Sequence, residues 1–454
     1  MNEFIRRAEY TIRPPYCSRD NYIHKKVALN SLIAEKLLAL EAGANNELIQ
    51  NKEFQAYLRG RKEQTMRQLL YNNVAYKKVV LDTNDVKKKY ILAGREYKSS
   101  YISFDDSNRV NIFVDELKKT GMSFEKLFQN IFGVEQIPKK NVKWNDQNEP
   151  VIHDALFSEP LKVGQLIGPI RSEDGRFLLM KIKGWDNHVA ISNQDIKTRW
   201  NDVSDKLRKK YAAEIYSKFA ANVMKEKEVN FSRDTFYKLV EIVAPHYLKS
   251  AQETKEEFNN VFWNKEITPD SIETNIEELI SYPLLQIDGE VWTVEKFRNE
   301  LRAHPLVFRK RRFSKKEFPE QYKLAIVDLI RDKYLAEKAY QMGYDKATVV
   351  ERNTKMWEEN FLSLYQKNKY LSSFDIKDKN YIKVIKEYLD DYVDSLQVVY
   401  NDKIEINTDE FEKIKLTNID MFVVQKNVPF PIMMPGFPLL TTDNKLDYGK
   451  KVID

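Results

Sequence analysis

The chain has 454 residues, enough for about three domains as a soft prior, with 42% apolar residues and a mean hydropathy of −0.58. Its 74 basic and 68 acidic side chains leave a net charge of +6. That is a mixed surface with a slight basic lean, unlike the one-sided field of a nucleic-acid binder. No run of about 18 apolar residues offers a membrane span, and "MNEFIRRAEYTIRPP" has no apolar core to read as a signal peptide. The single cysteine, Cys17, excludes an internal disulfide and reads as a free thiol in a loop. No GxxxxGK[ST], GxGxxG, HExxH or CxxC pattern occurs, so no cofactor and no metal are expected.

The first strong helical pattern is "ALNSLIAEKLLALEA", residues 28–42. It returns at an offset of 297 residues as "AIVDLIRDKYLAEKA", residues 325–339, with seven identities in fifteen positions. Each copy carries an apolar stripe at helical spacing, Leu29, Leu32, Ile33 and Leu37 in the first and Ile326, Leu329, Ile330 and Tyr334 in the second. Each is preceded by a Phe, an Arg, a Glu and a helix-ending Pro, from Phe4 to Pro14 and from Phe297 to Pro305. The second copy adds "LLQIDGEVWTVEKF", which predicts a hairpin around Asp288-Gly289 leading into a helix with Thr293 as N-cap. In the first copy that hairpin would lie before Met1, so the chain is expected to begin inside a domain.

Between the copies the texture changes. Residues 96–104 predict a strand. Residues 110–132 predict a helix broken at Gly121 and restarted at Ser123. Residues 150–170 predict a short helix, a loop and a strand. A polar turn through Ser172, Glu173, Asp174 and Gly175 then leads to a last strand at 175–185. One strand, helices and two further strands make a small α+β unit. "VKKKY" at 86–90 reads as a helix face.

The sequence "DALF", a loop, "GQLIGPI", a turn and a final strand resemble the C-terminal half of a parvulin-type prolyl isomerase domain, with Ala155, Phe157, Gly164, Gly168, Pro169 and Gly175 in matching places. A parvulin domain set between paired helical segments resembles the family of SurA-type periplasmic chaperones. "YLDDYVDSLQVVYNDKIEINTDEFEKIKL" at 388–416, a helix, short strand and helix, resembles the tails of that family. The resemblance implies a mostly α, multi-domain chain with a small α+β parvulin-like domain inserted between SurA-type helical segments. The domains it implies are residues 1–95, 96–186, 187–280 as helical segment and connector, and 281–454 as a second helical module with a Pro-rich tail. It further implies that the N-terminal helices pack with helices near 204–231.

Turning an X-Pro bond faces a barrier of about 18–20 kcal/mol. An isomerase lowers it with an apolar pocket for the ring and hydrogen-bonding groups around the twisted amide. Parvulins place two histidines, an Asp or Cys, a Met and a Phe there. In this chain the histidine positions fall on Tyr101 and Phe177, the Phe on Ile152 and the Met on Asn148, and the Asp or Cys has no equivalent. His153, the one histidine in the unit's short helix, is expected on the surface. The resemblance therefore implies a periplasmic chaperone that holds unfolded clients, outer-membrane proteins above all, with a parvulin-like domain degenerate in catalysis. An active peptidyl-prolyl isomerase and a scaffold for one particular partner are the alternatives. No nucleic acid and no transmembrane segment enter this reading.

Three stretches remain. "RKRRFSKK" at 309–316 reads as a solvated loop. Residues 246–270 read as a helical connector. "VPFPIMMPGFPLL" at 428–440 has four prolines and almost no charge, so it cannot be regular helix or central strand and is expected to lie extended on its own protein.

Overall fold

The computed structural model describes residues 2–452 apart from 147–148, 173, 249–275, 311–312, 378–379 and 417–432. The described chain is mostly helical with small sheets. Contacts divide it into a larger unit, residues 1–70, 223–308 and 315–454, and a smaller one, residues 71–222 and 309–314.

The smaller unit is built on four antiparallel strands, β1 (Arg95–Phe104), β2 (Lys139–Val142), β3 (Leu166–Arg171) and β4 (Phe177–Asn187), in the order β2-β1-β4-β3. Alternation along β1 and β4 gives the sheet two apolar faces. One carries Tyr97, Tyr101, Leu178 and Met180 and packs under the helices Thr83–Ala93, Pro150–Phe157 and Asn193–Val223. The other carries Ile102, Phe104, Phe177 and Leu179 under the helices Ser107–Thr120 and Phe124–Phe132. The break between that last pair is made as the sequence predicts. Gly121, at φ 64°, caps the first helix, and the Ser123 side chain accepts from Lys126 N to start the second. The stretch "VKKKY" lies on the helix Thr83–Ala93, as its composition predicts.

The expected packing of N-terminal helices with the helix near 204–222 is present for residues 71–95: Tyr71 packs edge-on against Tyr216 at 5.2 Å, Tyr76 Oη donates to Asp205 at 3.0 Å and Tyr211 Oη donates to Asp85 at 2.6 Å. Residues 1–70 fall in the other unit. Residues 204–222 belong to the smaller unit, where Val203 and Leu207 are buried against the sheet core with Leu156 and Phe157. Their apolar positions fit that sheet, and the strand that follows them goes elsewhere.

The larger unit contains both copies of the repeat. The repeat extends over three helices: Asn2–Tyr10, Tyr22–Ala42 and Lys52–Val74 answer to Val294–Ala303, Phe318–Gln341 and Thr348–Leu371. It reaches single side chains. Lys36 pairs with Glu3 at 3.1 Å, and Lys333 with Glu300 at 3.4 Å, each residue standing 297 positions from its counterpart.

The copies are joined by exchange of their third helices. Tyr22–Ala42 packs along Thr348–Leu371, where Asn360 Nδ2 donates to Glu35 at 2.7 Å and Lys36 pairs with Glu359 at 2.6 Å. Phe318–Gln341 meets the part of Lys52–Val74 that belongs to this unit through Tyr340 Oη donating to Glu63 at 3.3 Å and Arg67–Asp332 at 3.8 Å. Glu63 and Asn360 are themselves repeat counterparts. Each copy thus completes its core with a helix from the other, which is why no contact boundary separates them.

The exchange includes strands. β5 (Val229–Phe231) follows the first copy and adds antiparallel to the hairpin of the second, β6 (Pro283–Ile287) and β7 (Glu290–Thr293). The hairpin turns at Asp288 and Gly289, φ 50° and 76°, the pair of left-handed positions that a two-residue turn requires. Thr293 caps the next helix by accepting from Lys296 N. β8 (Glu405–Asn407) pairs in parallel with β9 (Lys450–Val452). β8 and the helix Thr408–Lys413 repeat β5 and the helix Arg233–Tyr247 at an offset of 175 residues, with Asp234, Phe236 and Lys238 answering to Asp409, Phe411 and Lys413.

The described part of the Pro-rich tail, from Met433 on, lies without helix or strand on this unit. Phe437 and Leu440 are buried, and the Gly436 carbonyl accepts from Arg7 at 2.8 Å. Arg7 also makes a two-bond ion pair with Glu35 at 2.7 and 2.8 Å, both side chains essentially without exposure. Residues 428–432 and, from 249 on, the expected connector lie outside the described residues. Among the described residues no helix is long and apolar enough to cross a membrane.

Candidate functional site

The sequence-predicted isomerase positions are not gathered at one point. Tyr101 stands opposite Met180 across β1 and β4, half-buried against the same core as Ile152 from the helix Pro150–Phe157. Phe177 stands opposite Phe104 and packs into the core on the other face of the sheet. A strand sends neighbouring side chains to opposite faces, so no local adjustment brings Phe177 beside Tyr101. Asn148 lies outside the described residues. Tyr101 and Ile152 offer one phenol and an apolar wall, with no imidazole between them.

His153 is corrected from a surface to a buried residue. Its ring lies 4.6 Å from the Trp144 ring and 4.8 Å from that of Phe157. Burial pushes its pKa down to about 4, assisted by the positive charge of Lys206. The imidazole is therefore neutral near pH 7, and its Nε2 has no hydrogen-bond partner among the described residues. Lys206 donates to the Trp144 carbonyl at 2.8 Å and sits 5.4 Å from the indole centre. Burial lowers its pKa to about 8, against the pull of Asp154 and Asp146. This cluster ties the helix Asn193–Val223 to the sheet.

Cys17 is buried, and burial raises its thiol to about 12 despite nearby Arg13. A thiol so protonated is a poor nucleophile. Among the described residues no group of three or more His, Cys, Asp or Glu is placed to hold a metal ion.

The larger unit holds a different kind of site. A cavity of about 380 Å³ opens among the helices Arg233–Tyr247, Val294–Ala303 and Lys52–Val74, lined by Tyr57, Val243, Tyr247, Phe297, Leu306 and Tyr322. Its rim is charged: Arg302 pairs with Glu53 at 2.9 Å, and Arg298 stands beside it. Aromatic rings continue behind the wall, with Tyr247 5.2 Å from Phe308 and Phe318 5.4 Å from Tyr322. Burial raises the Tyr322 phenol well above its ordinary value, so it stays a neutral, mainly apolar surface. The helix C-terminus beneath is pinned by His304, which meets Glu63 at 2.6 Å.

The sequence did not single out this cavity. Tyr57, Tyr247 and Tyr322 are spread over the chain and share no local pattern. They meet because the third helices are exchanged, and at the offset of 297 residues 52–74 and 349–371 share no identity that could have signalled it. No family model, no curated protein and no solved structure matches the chain.

Proposed function

We propose that the protein is a chaperone that holds unfolded polypeptides, with the smaller unit a parvulin-like domain without isomerase chemistry. The observation that carries the reading is the aromatic cavity of the larger unit. It is concave, mostly apolar and rimmed by charge, the character of a site that takes an apolar side chain of an extended client. A holding site needs this adaptable apolar surface and no nucleophile. The smaller unit supports the reading by its element order, a strand, two helices, a short strand, a helix and two strands, and by the separation of Tyr101 from Phe177. Clients of alternating apolar and polar residues, as in outer-membrane proteins, suit such a site, and a periplasmic setting belongs to the same proposal.

The test is suppression of aggregation when a urea-unfolded outer-membrane barrel is diluted with this protein. Suppression by the wild type that is lost in Leu306→Asp and in Tyr57→Ser, both folded by circular dichroism, supports the proposal. Equal suppression by these variants removes the cavity from the reading. A parallel NMR exchange measurement on X-Pro peptides is expected to show no acceleration, and acceleration would restore the isomerase reading.

A further inference from the structure

The two copies of the repeat differ in what lies over their second helix. In the second copy the β6–β7 hairpin lies over the helix Phe318–Gln341. Tyr334 Oη donates to Asp288 Oδ2 at 2.8 Å, and Lys333 Nζ stands 6.0 Å from the Trp292 ring centre. β5 joins this hairpin through the backbone of Asn230 and Ser232, the latter donating from its N–H to Leu284 O at 2.9 Å. The counterparts of Lys333 and Tyr334 are Lys36 and Leu37, and the counterpart of β5 is β8.

Around those counterparts no hairpin lies among the described residues. A cleft of about 660 Å³ is lined there by Ile33, Lys36, Leu37, Glu405, Ile406 and Phe411. β9 does not take the hairpin's place. Lys450 lies opposite Glu405, and its N–H donates to Ile404 O at 2.8 Å. In a parallel ladder the bonded groups then belong to residues 404 and 406, and those of 405 and 407 point the other way. Glu405 and Asn407 are the counterparts of Asn230 and Ser232, the residues that hold β6. β8 therefore has one edge paired with β9 and a second edge on the side where the other copy carries a hairpin.

We propose that this cleft is a strand-addition site for another polypeptide, which enters as an extended β segment and pairs antiparallel with the outer edge of β8. The composition of the fitting segment is given by the twin, an apolar run like "PLLQI", a tight turn, and a second strand with an aromatic residue. Main-chain bonds to Glu405 and Asn407 supply the affinity, and the apolar wall of Ile33, Leu37 and Ile406 selects the side chains. The proposal stands on the internal repeat and does not depend on the holding role of the aromatic cavity.

The probe is a fluorescein-labelled peptide of residues 282–294, titrated with the full chain and followed by anisotropy. Saturable binding that a scrambled peptide lacks is expected. Glu405→Pro removes the one N–H on the outer edge at its position and leaves the bonds to β9 intact. Ile404, at φ −106° and ψ 123°, already has the extended backbone that a following proline demands. This variant is expected to keep its melting temperature and weaken peptide binding by about tenfold or more. Ile33→Glu, in the helix wall, is expected to do the same. No saturable binding overturns the proposal, as does equal binding by both variants. Sedimentation of the protein alone provides the remaining arm: a concentration-dependent dimer that excludes the peptide would give the cleft to a second copy and overturn it. Client holding that survives Glu405→Pro separates this site from the cavity.

Discussion

Gly60 lies against the carbonyl of Ala303 so closely that a Cβ on it would stand 1.7 Å from the oxygen. The obstacle is backbone, which cannot rotate away. This contact seats the helix Lys52–Val74 on the end of Val294–Ala303, two helices that each contribute side chains to the aromatic cavity. Gly60→Ala should destabilise the larger unit by about 3 kcal/mol, the upper part of the usual range for overpacking. A urea midpoint lowered without a change in slope checks it.

The buried pair of Arg7 and Glu35 gives a second expectation. Asn360 and the Gly436 carbonyl complete its hydrogen bonds, so removing one partner strands a buried charge. Arg7→Met and Glu35→Gln should each cost about 3–5 kcal/mol, and the double variant much less than their sum. A double-mutant cycle in urea measures the coupling.

His153 makes the smaller unit sensitive to mild acid. Its folded pKa of about 4 lies below the ordinary value of 6.5, so the unfolded chain binds the proton first. The neutral ring's contribution is fully present above pH 6.5 and is lost as the pH falls toward 4, on the order of 3 kcal/mol in total. The His153→Phe variant should show a flat stability profile in that window. Titration of the His153 ring carbons by NMR checks the pKa directly.

Glu63 acts in a lower range. Burial raises its pKa, but the hydrogen bond and charge of His304 outweigh that and leave it below the ordinary carboxylate value. Its contribution is present above pH 4.5 and is lost as the pH falls through the depressed value. Glu63→Gln should lower stability at pH 7 by about 2 kcal/mol and remove this acid limb. Thermal melts from pH 3 to 7 distinguish it from the His153 effect at higher pH.

Local features were legible in the sequence. Asp288-Gly289, Thr293, Gly121 and Ser123 act through their own backbone neighbourhoods, so their roles follow from residue type. The repeat was legible at Ala28 and Ala325 because a helix core keeps small residues and leucines in register. Its continuation through Lys52–Val74 was hidden, since Gly60 answers to Trp357 and Glu63 to Asn360. Those side chains are set by contacts with the other copy, which differ between the two. His153 was misplaced because a polar residue type gives no sign that Trp144 and Phe157 enclose it. The separation of Tyr101 from Phe177 depends on the face that Tyr101 takes on β1 and the face that Phe177 takes on β4, which alignment by motif does not settle.

The exchanged helices also set an order of events during synthesis. Glu35 and Asn360 are 325 residues apart in the chain. At about 5–20 residues per second, the helix that covers Tyr22–Ala42 leaves the ribosome roughly 15–65 s after it. Most of the smaller unit, residues 71–222, emerges within that interval and draws its sheet and helices from neighbouring sequence. Leu32 clusters with Phe4 and Ala8 of its own copy, but Leu37 and Leu38 meanwhile lack Val393, Leu396 and Leu440, with which they cluster. A nascent chain of this design is thus itself a client for part of its life, dependent on whatever shields Leu37 and Leu38 until its own C-terminal half arrives.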